Sequence, residues 1–488
     1  MAGVLLRNVR RIDPTDHLDD VVDLLIDDGV VARLGSPGDS ADWELPSGIE
    51  TIDATGCVVC PGLVDLHCHT FGAAGVADPD SIGVHAGVPT IVDAGGAGAA
   101  TIDDFAATKI ADAKTRIRVF MAVEAGGITE PESSHNTRRT IPEMQTASLD
   151  DFLGAFQRHE TRIAGLKVWG TSAAGVQWIG HAATLSDLVG RPLMVHIGEL
   201  DTPEADPITG DVLDHLQGGD IVTHCFTGAP GAIVGPDGTI RPEAIAGRDR
   251  GIVFDCAPGG ANLSFDRALA AMEQGFLPDV ISSDLHRESV THPAVSLLHV
   301  MSWFLALGMS LRATIERASV IPADIANTPT GRPLVGEPAT LSLFRIARRR
   351  TIFADGSGGR VVGDEVLEPV GCLLDGRWFD ADPAAAAAPG NLCAVSDEER
   401  TFAPGQLAYL SRLHGELTDL SERDNRWRGL ELHRLVHRER VHSGLTIAEG
   451  LDAVYGGLVG SHIGPPAGWM LASVGRDETL RRLESVIG

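Results

Sequence analysis

The sequence predicts an α/β fold, a (β/α)8 TIM barrel that carries a small β-sandwich and a C-terminal helical extension. Three observations predict the barrel: eight short apolar runs, enough chain between the runs for a helix, and helical periodicity in intervals such as 149–159 and 265–274. Strands that alternate with helices form a parallel sheet, and eight such units over about 270 residues close into a barrel. The eight runs lie at 62–68, 89–94, 116–123, 162–170, 192–198, 220–225, 251–256 and 279–284.

The segments on either side of the predicted barrel have a different pattern. Both contain short strands and turns, and Asp28-Gly29 is a hairpin signal. Two β segments that bracket a barrel indicate one small sandwich built from both. The first half of the sandwich is predicted at 1–60, the metal-binding barrel at 61–330 and the second half of the sandwich at 331–382. An Ala/Pro-rich linker at 383–394 and the helical extension at 395–488 follow.

Composition limits the classes of function. The chain has 488 residues and a net charge of −28, which argues against binding to nucleic acid or to anionic membranes. We find neither a signal peptide at the start nor an apolar run of about eighteen residues that could span a bilayer. The seven cysteines are scattered, as in a reduced protein core. We therefore expect a cytoplasmic homo-oligomer that acts on a small molecule. The helical extension is expected to pack on the barrel, to cover it or to make an oligomer contact.

His67 and His69 end the first predicted barrel strand. Alternation along a strand puts positions i and i+2 on one face, so that two imidazoles can converge on one metal ion. Further candidate ligands end other predicted strands, which is where this fold places catalytic groups. They are Lys167, His196, His224 and Asp284, from strands 4, 5, 6 and 8. Together these residues predict a metal site.

Lys167 makes the prediction more specific. It is one of three lysines in the chain and lies within the apolar run 163–169. Burial makes its ammonium group costly and lowers its pKa. A neutral amine at this position can combine with carbon dioxide, and the resulting carbamate can bridge two cations. The pattern then predicts a binuclear site.

These motifs resemble those of the amidohydrolase superfamily. PGLVDLHCH, the lysine of GLKVW, VHIGE, VTHCFTG and ISSDLH match its motifs in order, and the resemblance covers about residues 1–380. The chain is similar to the dihydroorotase- and hydantoinase-like branch with a carboxylated lysine. HCFTG, GVPTIVDAGGAGA and FDCAPGGANLSF resemble a deacetylase group that cleaves N-acyl or O-acyl substrates. The chain departs from that group at Ala257-Pro258, where a Gly-His pair is expected, and at MAVEAGGIT after the third strand.

The resemblance implies two divalent metal ions, zinc by default, with manganese, nickel or cobalt as alternatives. His67, His69 and Asp284 would bind one ion and His196 and His224 the other. Lys167, as N6-carboxylysine, would bind both. The implied enzyme hydrolyses an amide or ester bond, by deacetylation or by opening a cyclic amide. A metal-bridging hydroxide would attack, with Asp284 as general acid and base.

Two other functions remain open at this point. His196-Ile197-Gly198-Glu199 resembles the His-x-Gly-Glu of mononuclear zinc deaminases that act on heterocycles. Lys167 favours the binuclear hydrolase, because a deaminase has no use for a bridging carbamate. A non-catalytic barrel scaffold is the more remote alternative, since the set of candidate ligands is complete. Gly95–Gly98 lacks the full dinucleotide-binding fingerprint, and we interpret it as a tight loop near the site.

Four residues are candidates for contact with the substrate. His286 and Arg287 follow Asp284 directly and are expected to face the barrel mouth, where Arg287 can hold a carboxylate. Glu199 and Cys256 lie just beyond the fifth strand and at the end of the seventh.

Overall fold

The structure is a computed structural model of the chain. It describes residues 3–72, 75–76, 78–128, 146–172, 174–199, 206–287, 289–290, 293–382, 402–423, 427, 429–445, 447–459 and 467–487. The predicted linker 383–394 lies outside these residues. Within them the chain forms a curled parallel sheet surrounded by helices, a separate mixed sheet, and a group of C-terminal helices.

The strands of the described residues are β1 (Val4–Asp13), β2 (Leu18–Asp27), β3 (Val30–Gly35), β4 (Glu50–Asp53), β5 (Cys57–Pro61), β6 (Val64–Cys68), β7 (Thr90–Gly98), β8 (Arg116–Ala122), β9 (Ile163–Trp169), β10 (Leu193–His196), β11 (Ile221–Thr223), β12 (Val253–Asp255), β13 (Leu341–Ala354), β14 (Arg360–Leu374) and β15 (Arg377–Asp380).

The α-helices of the same residues are α1 (Pro79–Ile82), α2 (Ile102–Phe105), α3 (Leu149–His159), α4 (Val176–Val189), α5 (Thr209–His215), α6 (Pro242–Asp249), α7 (Phe265–Glu273), α8 (Leu297–Ala306), α9 (Leu311–Ala318), α10 (Val320–Ile325), α11 (Pro404–Arg423), α12 (Gly429–His442), α13 (Ile447–Val459), α14 (Ala467–Val474) and α15 (Arg476–Ile487).

The mixed sheet combines strands from both flanks of the barrel. Its order is β15-β14-β13-β5-β1-β2-β3, with β4 beside β1. The join is the antiparallel pairing of β13 with β5, which connects the end of the chain's first β segment to the start of its second. Asp28 and Gly29 have positive φ and connect β2 to β3, as the hairpin signal predicts.

In the described part of the chain, the barrel consists of seven hydrogen-bonded parallel strands in the order β6 to β12, and the predicted α/β barrel is confirmed. The prediction of a regular eighth strand at 279–284 is wrong. Among the described residues, two single parallel bridges close the ring instead, one from Val280 to Asp255 and one from Leu285 to Cys68. The reason lies in the backbone, because Asp284 has a φ of 51° and cannot continue an extended strand.

One buried hydrogen bond connects the mixed sheet to the barrel, while the C-terminal helices pack around a separate core. At the turn between β13 and β14, the buried Asp355 accepts a 2.7 Å hydrogen bond from the backbone N–H of Phe265 at the start of α7. The mixed sheet is therefore attached to a barrel helix. The C-terminal helices have a hydrophobic core of their own, in which the Tyr409 hydroxyl donates to the carbonyl of Val436. No helix in the described ranges is long and apolar enough to cross a membrane.

Candidate metal centre

His67 and His69 lie at the end of β6 and are both buried. Nε2 of His69 is 3.1 Å from Oδ1 of Asp284, and Nε2 of His67 is 3.4 Å from the same oxygen. The two imidazoles thus converge on one carboxylate, as their i, i+2 spacing predicts.

Lys167 points into the same region from β9. Its Nζ is 3.3 Å from Nε2 of His67, and only 2% of the residue is exposed. Space for its aliphatic stem comes from Gly95, where an added Cβ would lie 2.8 Å from Cγ of Lys167. Gly95 belongs to the irregular end of β7, so the expected tight loop at Gly95–Gly98 is a bulged strand end instead. A glycine suits this position because its φ is +94° and because an added Cβ would meet both Lys167 and Ile128.

His196 and His224 form the other side of the group. His196 ends β10, and its ring centroid is 4.4 Å from that of His224, which directly follows β11. The His224 ring is in turn 5.1 Å from the His67 ring. The indole of Trp169 also packs against His196, with centroids 4.5 Å apart. All six predicted ligands therefore meet at the carboxyl ends of the barrel strands.

The arrangement fits divalent cations by the chemistry of its donors. Ligand atoms of His67, His69 and Asp284 lie within 4.8 Å of one another. Nδ1 of His224 donates to the carbonyl of Ala257 at 2.7 Å, which leaves the lone pair on Nε2. Within the described chain, Nε2 of His196 is buried without a hydrogen-bond partner. A buried ring nitrogen without a partner is a cost that coordination of a metal ion would remove.

The protonation states also suit metal binding. Burial lowers the pKa of His224 to about 4 and holds the pKa of both His67 and His196 well below the usual range. Burial also lowers the pKa of Lys167 to about 8, although nearby carboxylates oppose this. Burial alone would raise the pKa of Asp284, but the imidazoles around it, His67 foremost, hold that pKa well below its usual value. His67, His196 and His224 are thus neutral and the carboxylate is ionised, as metal ligands must be.

Strained backbone supports this geometry. His224, Ala257 and Asp284 all have positive φ, at 67°, 33° and 51°. Such angles are uncommon in residues other than glycine and persist only where the surrounding structure fixes them. Two of the three residues are candidate ligands, and the third accepts the hydrogen bond from His224. The strain therefore serves to position the site.

A buried relay behind His67 was not predicted from the sequence. Nδ1 of His67 is 2.8 Å from the Thr223 hydroxyl, which donates to Oδ2 of Asp255 at 2.8 Å. The hydroxyl of Ser282 donates to the other carboxylate oxygen of Asp255. A hydroxyl that donates to Asp255 can only accept from His67, so the relay places the proton on Nδ1 and the lone pair on Nε2. An aspartate within the apolar run 251–256 was the signal that could have indicated it.

Replacement of Thr223 with valine is expected to lower the affinity for metal by about 10- to 100-fold, the usual effect of losing a hydrogen-bond partner behind a ligand. Thr223→Ser should restore the affinity, because serine keeps the hydroxyl. The measurement is competition for zinc with a chelator of known affinity. Thr314→Val is the matched control, since Thr314 is also buried but its hydroxyl bonds a carbonyl at the start of α9. Equal affinities of Thr223→Val and the wild type would contradict the role of the relay.

The four candidates for substrate contact occupy different settings. The His286 ring stacks 6.4 Å from that of His69, and Arg287 is exposed beside it. Glu199 is buried and accepts hydrogen bonds from both the backbone N–H and the hydroxyl of Ser172, as a residue that holds a loop would.

Cys256 is also fully buried, in the same core cluster as Phe254 and Ile281, with Sγ 3.5 Å from the carbonyl oxygen of Ser282. Burial raises the pKa of the Cys256 thiol well above its usual value. This setting is that of a core residue and gives no support to contact with substrate.

Two sequence relatives and a solved structure are similar to most of this chain. No family model matches the chain. A deacetylase from Brucella anthropi is 30% identical over 375 residues, which span 75% of this chain and 90% of that protein. A deacetylase from Agrobacterium fabrum is 31% identical over 366 residues, 73% of this chain and 86% of the relative. The crystal structure of a dihydroorotase superposes with a TM-score of 0.68 at 28% identity, covering 78% of this chain and 99% of the other.

Proposed function

Because the chain belongs to the amidohydrolase superfamily, in its dihydroorotase- and hydantoinase-like branch, it is a metal-dependent amide hydrolase, and we propose that it uses two divalent cations bridged by a carboxylated Lys167. The observation that carries the proposal is the position of Lys167. Its buried amine is 3.3 Å from Nε2 of His67, and its charge also contributes to the lowered pKa of both His196 and His224.

Carboxylation of Lys167 is supported by its chemistry. Only a neutral amine attacks carbon dioxide, and a pKa of about 8 leaves part of the population neutral near pH 7. The carbamate would add a negative charge and two oxygen ligands to a group otherwise composed of four imidazoles and one carboxylate. That charge would balance part of the charge of two divalent cations. Imidazole ligands suit zinc, which is our proposal for the metal.

The residues of the chain then have distinct roles in hydrolysis. When bound, the cations lower the pKa of a coordinated water and polarise the scissile carbonyl. The ionised Asp284 accepts a proton from the attacking water and delivers it to the leaving nitrogen. A hydrogen bond between Nε2 of His69 and Oδ1 of Asp284 orients the carboxylate. Because the curated relatives are named deacetylases, we propose a small N-acyl compound as the substrate.

Metal counting combined with an activity assay tests the proposal. Purified protein loaded with zinc in bicarbonate buffer is expected to hold two ions per chain and to release acetate from an acetylated amine. The mononuclear alternative would give one ion per chain and ammonia from an aminated heterocycle. A single zinc with no acyl hydrolase activity would overturn the binuclear proposal.

A further inference from the structure

We propose that Oδ1 of Asn262 accepts a hydrogen bond from the N–H of the scissile amide, so that the substrates are amides with a hydrogen on that nitrogen. Tertiary amides and esters lack this donor. The inference rests on the proposed function and narrows its substrate class.

Asn262 belongs to a segment, Ala257–Ser264, that follows β12 and contacts the candidate metal centre at three points. The carbonyl of Ala257 accepts from His224. Gly259 lies so close to Oδ2 of Asp284 that no side chain could replace its hydrogen without a clash. Asn262 itself donates from Nδ2 to Oδ2 of Asp284 at 3.1 Å. The segment thus contacts both a candidate ligand and the proposed acid and base.

The contact with Asp284 fixes the orientation of the Asn262 amide. An ionised carboxylate can only accept, so the NH2 group and not the carbonyl must face Asp284. The other end of the amide is then an acceptor. In the part of the chain that the structure describes, Oδ1 of Asn262 is buried without a hydrogen-bond partner, and only 8% of the residue is exposed. A buried acceptor of this kind costs about 1–3 kcal/mol unless something donates to it.

The position of this acceptor identifies the donor. Oδ1 shares the amide plane of Asn262 with the nitrogen that binds Asp284, so it lies beside the carboxylate that protonates the leaving nitrogen. A scissile nitrogen placed to receive that proton would present its own N–H to Oδ1. The amine product keeps this hydrogen, so the contact would persist through bond cleavage.

The side chain is held in advance of binding. The backbone N–H of Asn262 donates to the carbonyl of Pro258, and that of Ser264 to the carbonyl of Phe226. The next residue, Phe265, is fixed by Asp355 of the β13–β14 turn. A group fixed in this way loses little entropy on binding and can discriminate between substrates.

Three acetyl compounds test the inference: p-nitroacetanilide, its N-methyl derivative, and p-nitrophenyl acetate. Only the first has an N–H on the scissile group. Asn262→Leu removes both polar ends at similar volume, and Asn262→Ala serves as a second variant should the first fold poorly. The kcat/KM of all three compounds should fall because Asp284 loses a hydrogen bond. For p-nitroacetanilide the fall should exceed that of the other two by about 5- to 100-fold, the cost of an unpaired donor.

Metal content and thermal stability are measured alongside, so that a change in folding is not taken for a change in specificity. Equal falls for all three compounds would overturn the inference while leaving the proposed function in place. No fall for any compound would overturn it as well. A wild-type enzyme that is loaded with zinc and cleaves none of the three would overturn the proposed function and the inference together.

Discussion

Lys167→Ala is expected to lose at least one metal ion per chain and to lower kcat/KM by about 10³-fold or more, since a metal ion contributes several kcal/mol to catalysis. The physical reason is the loss of the bridging group. Without a carbamate, the cluster of His67, His69 and Asp284 and the pair of His196 and His224 have no shared ligand. Metal analysis and steady-state kinetics measure the two effects.

Carbamate formation is detected directly with ¹³C-labelled bicarbonate and NMR. The wild type should give a carbamate carbon signal that Lys167→Ala lacks. Lys114→Ala is the matched control, because Lys114 is exposed and is one of only two other lysines in the chain. It should keep the signal, both metals and full activity. If Lys167→Ala retained two ions per chain and normal kinetics, the carbamate would have no role.

Asp284→Asn is expected to lower kcat by about 10²- to 10⁴-fold, the contribution of a positioned general acid or base. Asparagine has nearly the same shape but cannot accept the proton of the attacking water. It also removes the negative charge that faces His67 and His69. The fall should appear in kcat for each compound that the wild type cleaves, in contrast to the selective effect of the Asn262 variants.

Asp279→Asn provides the control for this substitution. Asp279 is the first residue of the same closing segment of the barrel, but its Oδ2 accepts from the backbone N–H of Phe254 and not from the histidines. Its loss is expected to affect stability more than kcat. A kcat for Asp284→Asn within about tenfold of the wild type, with full metal content, would show that another group moves the proton.

Much of the site could be predicted because its residues violate the local pattern. An imidazole, an ammonium or a carboxylate within an apolar strand is costly to bury. His67, Lys167 and Asp284 therefore stood out without knowledge of the structure. The same rule applies to Asp255, which was not among the predicted site residues. The sequence-based prediction names its neighbour Cys256, and alternation along the strand places the two residues on different faces.

Other features required tertiary information. Asn262 lies in a segment without regular periodicity, and its importance depends on the distance between Nδ2 and Asp284. No sequence pattern gives that distance. The shape of residues 279–284 was also hidden, because an apolar run indicates burial but does not reveal the positive φ of Asp284. The need for a glycine at position 95 also becomes clear only from the structure, because the aliphatic part of the Lys167 side chain packs against it.

The closure of the barrel by two single bridges has a consequence for folding. His69 and Asp284 are separated by 215 positions along the chain, so their contact closes a long loop. Contacts of such long range are formed late, since the entropy of closing the loop is lost before the contact offsets it. A partly folded chain could present the histidines of β6, yet it would lack the aspartate. The capacity to bind metal at this cluster is thus acquired only by chains that have completed the barrel.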